Sequence, residues 1–276
     1  MKRIATIQDI SCFGKCSITV SLPVISAMGV ECAIVPTTVL STHTAGFTGY
    51  TVCDISDQLL PIAEHWRREG IALDTLYTGY LANETQINDT IRFIELTKNE
   101  NTLVFVDPAM ADNGKLYPGF APEFPEKMLE LVKLADVVCP NITEACLLLG
   151  MKFKNEGEYD EAYIKSLVDG FASLGIEKVV ITGVKYGDGR HGALAYDGNT
   201  GEYRYLWGKN MDCYFHGTGD VFSSVLCGAL TKGENVYTAT QKAVDFTIAC
   251  IAQTMPDRAN HPYGVKFEEC LHLLCK

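Results

Sequence analysis

The chain of 276 residues is 47% hydrophobic and 21% charged, enough apolar content for a substantial core and too much for intrinsic disorder. A net charge of −11 without any basic stripe or cluster excludes nucleic acid as the expected partner, because neutralising phosphates takes grouped Lys and Arg. Eleven cysteines with no C-x-x-C pair, a start without the apolar length of a secretory signal, and no run near the ~20 apolar residues of a bilayer span together predict buried thiols, no membrane segment and a cytoplasmic location.

In chain order, Ile4 to Ile7 reads as a first strand running into a polar turn, Gln8 to Gly14. A helix is expected from about Lys15 to Met28, blemished by Pro23 and stopped at Gly29. Cys12 and Cys16 could share one face of it, as small packing residues. Ala33 to Val35 is a second, short strand. The segment from Thr37 to Phe47 is hydroxyl-rich and too irregular for an ordinary core strand. Helices are expected over Ile55 to Arg68 and about Glu84 to Thr97, with a strand at Leu76 to Thr78 between them. Leu103 to Val106, Val137 to Cys139 and Val179 to Ile181 are continuous apolar runs of strand length, the pattern of strands buried on both faces of a parallel sheet. Tyr163, Leu167, Phe171 and Leu174 recur at helical spacing between the last two. Two alternating runs around Asp197-Gly198-Asn199-Thr200-Gly201 form a hairpin near the sheet edge. Helices then run from Thr218 to about Thr231 and from Val236 to Thr254, with a short one after Val265. No repeat or linker interrupts the chain, so residues 1–276 are expected as one α/β domain with a mainly parallel sheet.

Ligands of open α/β sheets bind beyond the carboxyl ends of the strands. Those ends carry Asp9, the Ser41–Thr44 segment, Gly79-Tyr80, Asp107, Asn141 with Glu144, Thr182 to Lys185, and Gly217-Thr218-Gly219-Asp220. Each has a plain explanation: Asn141 and Glu144 have the spacing of a helix cap and its partner, Asp107-Pro108 is a common strand end, and Lys185 suits a solvated loop. The glycine-bracketed turn is the most informative. Glycines let a ligand approach the backbone, the first amides of a helix point outward, and a carboxylate on the same turn can take a proton from an attacking hydroxyl. His216, just before it, is expected as a loop histidine satisfied by backbone.

Asp107 to Tyr117, Asn141-Ile142-Thr143-Glu144 and Gly217 to Asp220 together resemble the ribokinase superfamily, and Val39 to Thr44 with Gly79-Tyr80-Leu81 resemble its pyridoxal kinase branch. The similarity runs in order from Ile4 to about Thr254. It implies a ribokinase-like three-layer fold and ATP-dependent phosphorylation of the hydroxymethyl group of pyridoxal, pyridoxine or pyridoxamine. Carried over, Asp220 is the general base, and the amides of Gly217, Thr218 and Gly219 form the anion hole. Asn141 and Glu144 organise Mg²⁺, and Asp107 lies near the phosphates and metal. Thr182 and Lys185 lie near the nucleotide, and Asp9, His43, Thr44 and Tyr80 form the vitamin pocket. The resemblance also implies a homodimer and leaves a monovalent cation open. Pyridoxal kinases usually place serine where Asp9 stands, which changes the charge of that pocket. A hydroxymethylpyrimidine or sugar kinase of the same superfamily, and a non-catalytic vitamin-binding regulator, are the alternatives.

Overall fold

A computed structural model of the protein describes residues 1–209, 211 and 213–275. The chain alternates strands and helices as β1 (Arg3–Ser11), α1 (Ile18–Ala27), β2 (Glu31–Leu40), β3 (Val52–Asp54), α2 (Leu59–Arg68), β4 (Thr75–Thr78), α3 (Glu84–Thr97) and β5 (Leu103–Val106). A small hairpin follows, β6 (Ala111–Asp112) and β7 (Lys115–Leu116), then α4 (Phe124–Val132), β8 (Val137–Val138), α5 (Ile142–Leu149) and α6 (Glu161–Ser173). The remainder is β9 (Lys178–Lys185), β10 (His191–Asp197), β11 (Glu202–Gly208), α7 (Thr218–Thr231) and α8 (Val236–Thr254), with short 3₁₀ segments near residues 56, 255 and 267.

Nine strands make one sheet in the order β11-β10-β9-β8-β5-β4-β1-β2-β3. The six inner strands from β9 to β2 are parallel, and β10, β11 and β3 are antiparallel additions at the edges. Ile4, Ala5 and Ile7 of β1 and Val104, Phe105 and Val106 of β5 are fully buried, as expected for strands covered on both faces. One core joins the sheet to α2, α3, α4, α5 and α6, and a second joins its other face to α1, α7 and α8. This is the three-layer arrangement expected, and the hairpin of β10 and β11 lies at the sheet edge as the turn chemistry required.

Three differences from the sequence expectations bear on function. β2 runs through Pro36 to Leu40, so Thr37 to Leu40 is strand after all. The irregularity takes the form of a register shift opposite the Gln8–Ile10 stretch, where β2 inserts an extra residue. A bulge tolerates the missing N–H of Pro36 and re-aims neighbouring side chains, among them Asp9. α1 begins at Ile18 rather than near Lys15, because Ser17 sits at φ 55°, ψ −132° and the residues before it form a turn. Cys12 and Cys16 therefore share no helix; Cys12 is exposed and Cys16 half-buried.

The β2–β3 edge is held to α3 by Gln86, which is fully buried. Its Nε2 donates to Thr38 Oγ1 at 2.9 Å and Asp54 Oδ2 at 3.1 Å, while its Oε1 accepts from the Ala82 amide at 2.8 Å. Replacing Gln86 by Leu keeps the volume and orphans these partners. The expected cost is about 1–3 kcal/mol, measured as a lower midpoint in chemical denaturation with an unchanged slope.

Candidate active site

α7 opens on Gly217, whose φ of 76° lies in the left-handed region. A β-carbon there would stand 1.8 Å from the carbonyl oxygen of Lys15. Glycine is needed twice over, for conformation and for contact with the turn that follows β1. Gly219 is exposed, and no atom lies within 4 Å of where its β-carbon would be. The turn is thus open at Gly219, where an anion can come close to the start of the helix. Thr218 turns its hydroxyl back to the Phe215 carbonyl at 3.1 Å, closing the loop.

Asp220 is half-buried on the same turn. Burial first, then the negative charge of Asp107 and, less, that of Asp9, together lift its pKa to about 8 against the opposing effect of the Ser17 amide. Asp107 is buried and accepts a hydrogen bond from Ser223 Oγ at 2.6 Å; burial raises its pKa to about 6. Glu144 is buried too, and burial followed by the Asp107 charge drives its pKa well above the usual carboxylate range. The topology has brought carboxylates from β5, α5 and α7 within reach of one another's fields.

Asn141 and Glu144 form a complete capping box on α5. Asn141 Oδ1 accepts from the Glu144 amide at 2.9 Å, and Glu144 Oε2 accepts from the Asn141 amide at 2.8 Å. The pair reaches further than a cap. Glu144 Oε1 accepts from the Met110 amide at 3.1 Å, and Asn141 Nδ2 donates to the Ala111 carbonyl at 2.8 Å. The cap is thereby fastened to the β6–β7 hairpin.

Among the described residues no three His, Cys, Asp or Glu side chains cluster as a ready metal cage. The donors still suit a hard cation that keeps its water: all are carboxylate oxygens, burial raises every one of their pKa values, and the Asp107 charge raises those of Glu144 and Asp220 further. Asp107 has one oxygen not taken by Ser223, whereas both oxygens of Glu144 already accept from amides. Asp107 is therefore fitted to direct contact and Glu144 to contact through water.

On the far side of Asp220, Asp9 is buried and accepts from Ser11 Oγ at 3.0 Å. Burial raises its pKa, against donation from the Ser17 and Ser11 hydroxyls. His43 is buried nearby, its ring under Gly14, where a β-carbon would lie 2.1 Å from the imidazole. Tyr80 feels the Asp9 charge and packs its ring 5.7 Å from Phe120. Thr44 is exposed. His216 stands between Tyr214 and His43, with ring centroids 5.3 and 5.8 Å away. Burial lowers its pKa, helped by His43.

At the other end, Thr182 continues the β9 edge by donating its amide to the Pro140 carbonyl at 2.9 Å, beside the Asn141 cap. Lys185, half-buried, ends β9; its amide donates to Tyr159 Oη at 2.9 Å, and among the described residues no carboxylate pairs with its ammonium group. Two participants were not read from the sequence. Ser17 offers its amide to Asp220 and its hydroxyl to Asp9, in a backbone conformation that costs about 1–3 kcal/mol for a residue other than glycine. Tyr263 lends its carbonyl to both the Lys15 amide and the His43 ring. A positive φ at a serine has no sequence signature, and Tyr263 acts through its backbone.

The raised pKa of Asp220 carries a stability consequence with a definite sign. Between about pH 4 and pH 8 the folded state binds a proton the unfolded chain releases, so this group's contribution falls as pH rises through that window. Asp220→Asn removes the effect. Its melting temperature should exceed the parent's by more at pH 8 than at pH 5; an equal offset at both would place the Asp220 pKa in the ordinary range.

A family model described as phosphomethylpyrimidine kinase matches residues 6–263. Pyridoxine kinase of Bacillus subtilis is 34% identical over 194 residues, covering 68% of this chain and 67% of that protein. A Bacteroides thetaiotaomicron protein, provisionally assigned as a phosphomethylpyrimidine kinase and crystallised with pyridoxal, superposes with a TM-score of 0.93 at 31% identity, covering 100% of this chain and 96% of the other. The ADP complex of Bacillus subtilis pyridoxal kinase superposes with a TM-score of 0.77 at 25% identity, covering 92% of each chain. The matched stretch spans about two thirds of the curated relatives' own length, from 63% to 67% in two of them. With the three-layer sheet and the G-T-G-D turn in place at its strand ends, the chain belongs to the phosphomethylpyrimidine kinase family, in the ribokinase-like branch that holds the pyridoxal kinases.

Proposed function

We propose that the protein transfers the γ-phosphoryl group of ATP to the hydroxymethyl group of a B6 vitamer, pyridoxal, pyridoxine or pyridoxamine. The observation that carries this reading is Asp220, a half-buried carboxylate with a pKa of about 8, set on the first turn of a helix that is open to approach at Gly219. The bound pyridoxal and ADP of the similar structures support the choice of acceptor class and donor.

In this mechanism Asp220 accepts the proton of the acceptor hydroxyl as it attacks, a task that needs its ionised form. The amides at Gly217, Thr218 and Gly219 hold the charge of the group in transfer; for phosphoryl transfer, positioning and fixed dipoles supply most of the catalysis. Asp107 and a water-separated Glu144, supported by Asn141, would hold Mg²⁺. When bound, the ion neutralises phosphate charge and aligns the chain of phosphates. Lys185 and Thr182 sit toward the nucleotide. Asp9, His43 and Tyr80 bound the acceptor pocket, with Thr44 at its exposed rim. Such an enzyme works where ATP is plentiful, in the cytoplasm, and as the homodimer that the resemblance implies.

The second reading keeps the machinery and replaces the vitamer with hydroxymethylpyrimidine. It is favoured by the family description and by Asp9 in place of serine. ADP release measured with MgATP and each vitamer or the pyrimidine separates the two; no release with any of the four overturns both. Asp220→Asn should lower kcat by about 10²–10⁴-fold with KM changed only severalfold. For the parent enzyme, kcat/KM for the acceptor should climb with pH to a plateau above about pH 8, as Asp220 loses its proton. A profile flat from pH 6 to 9 would remove Asp220 from the proton transfer.

A further inference from the structure

The acceptor pocket holds an unpaired atom. His43 is only 4% exposed, and its Nε2 lies 3.0 Å from the carbonyl oxygen of Tyr263. A carbonyl can only accept, so Nε2 carries the ring hydrogen, and Nδ1 is left with a bare lone pair. That Nδ1 is buried and has no hydrogen-bond partner. A buried acceptor without a donor is costly, and it calls for a donor supplied by water or by ligand. The ring cannot turn away to find one. Gly14 presses on one side of it, the Phe47 ring lies 5.0 Å away, and Tyr263 holds the opposite nitrogen. Asp9, close enough to respond to a charge on His43, is a second buried polar group here, and as a carboxylate it too only accepts.

We infer that Asp9 and His43 Nδ1 form a recognition pair that selects acceptor rings by their hydrogen-bond donors: a nitrogen heterocycle bearing N–H and O–H or amino hydrogens. A ring offering only lone pairs, or an ionised phenolate, meets two acceptors and is rejected. The backbone carbonyl of Tyr263 is the positioning group, since it sets which nitrogen of His43 faces the ring. This inference rests on the acceptor-pocket reading above and adds the donor rule that a serine at position 9 would not impose, because a hydroxyl can both give and receive.

The test is binding, not turnover. Isothermal titration of the parent protein compares pyridoxine with its N-methylated pyridinium and with the methyl ether of its phenol, and includes the aminopyrimidine alcohol. Each lost donor should weaken binding about 10-fold to 100-fold. The penalty attached to one donor should vanish in His43→Met and the penalty attached to the other in Asp9→Ala. Equal affinities across the series, or penalties that persist in both variants, overturn the inference. Nitrogen-15 spectra of the parent protein give a readout independent of any variant's folding. Nδ1 should show the shift of an unprotonated nitrogen and move when pyridoxine is added; a protonated or unmoved Nδ1 overturns the inference. Donor-dependent binding without phosphoryl transfer would sink the kinase reading alone, and no binding by any ring compound sinks both.

Discussion

The contact on which the site depends is the one between the Gly217 backbone and the Lys15 carbonyl. It joins two segments that lie 200 residues apart in the chain, the turn after β1 and the start of α7. With a side chain at 217 the helix could not seat against that turn, and Asp220 would separate from Ser17 and Asp9. The closeness explains the strained Ser17 as well. At the crossing, its amide is turned to one carboxylate and its hydroxyl to another, and the helix of α1 starts only afterwards. Strain held in this way marks a place where packing on every side dictates the conformation.

A second organising constraint is charge. Asp107, Glu144 and Asp220 come from three different parts of the chain and converge in a largely buried space, where burial and the charge of Asp107 raise the cost of ionising the other two. Folding tolerates this because amides and hydroxyls from Ser17, Ser223, Met110 and Asn141 reach the carboxylates. The site is thus solvated by the protein itself before any ligand arrives, the condition under which fixed dipoles are effective in catalysis.

Much of this was legible in the sequence, for reasons that can be stated. The apolar runs at β5, β8 and β9 reflect burial on both faces, and α3 and α8 begin and end where they are expected from the sequence. Asn141 and Glu144 have two readings, helix cap and metal organiser, and the structure realises the cap in full; the second belongs to the proposed mechanism. What stayed hidden was non-local. The bulge that carries β2 through Pro36 depends on its neighbour β1, and β6 and β7 are only two residues each. α4 lay in a stretch that the sequence reading left unassigned, although its apolar positions are buried in the structure. The part played by Tyr263, and that of Ser17 toward Asp220, belong to backbone atoms, which every residue has, so side-chain patterns cannot announce them.

The tie from Tyr263 has a consequence for the order in which the molecule becomes competent. Asp9 and His43 are made long before the carbonyl that orients the imidazole, which belongs to a segment made after α8 is complete. That segment also brings Glu268 to Lys15, bracing the turn from the same side. A growing chain can therefore assemble the sheet and its covering helices before the His43 ring meets the carbonyl that fixes its tautomer. The tautomer of His43 is thus settled only when the segment after α8 folds back onto the turn after β1.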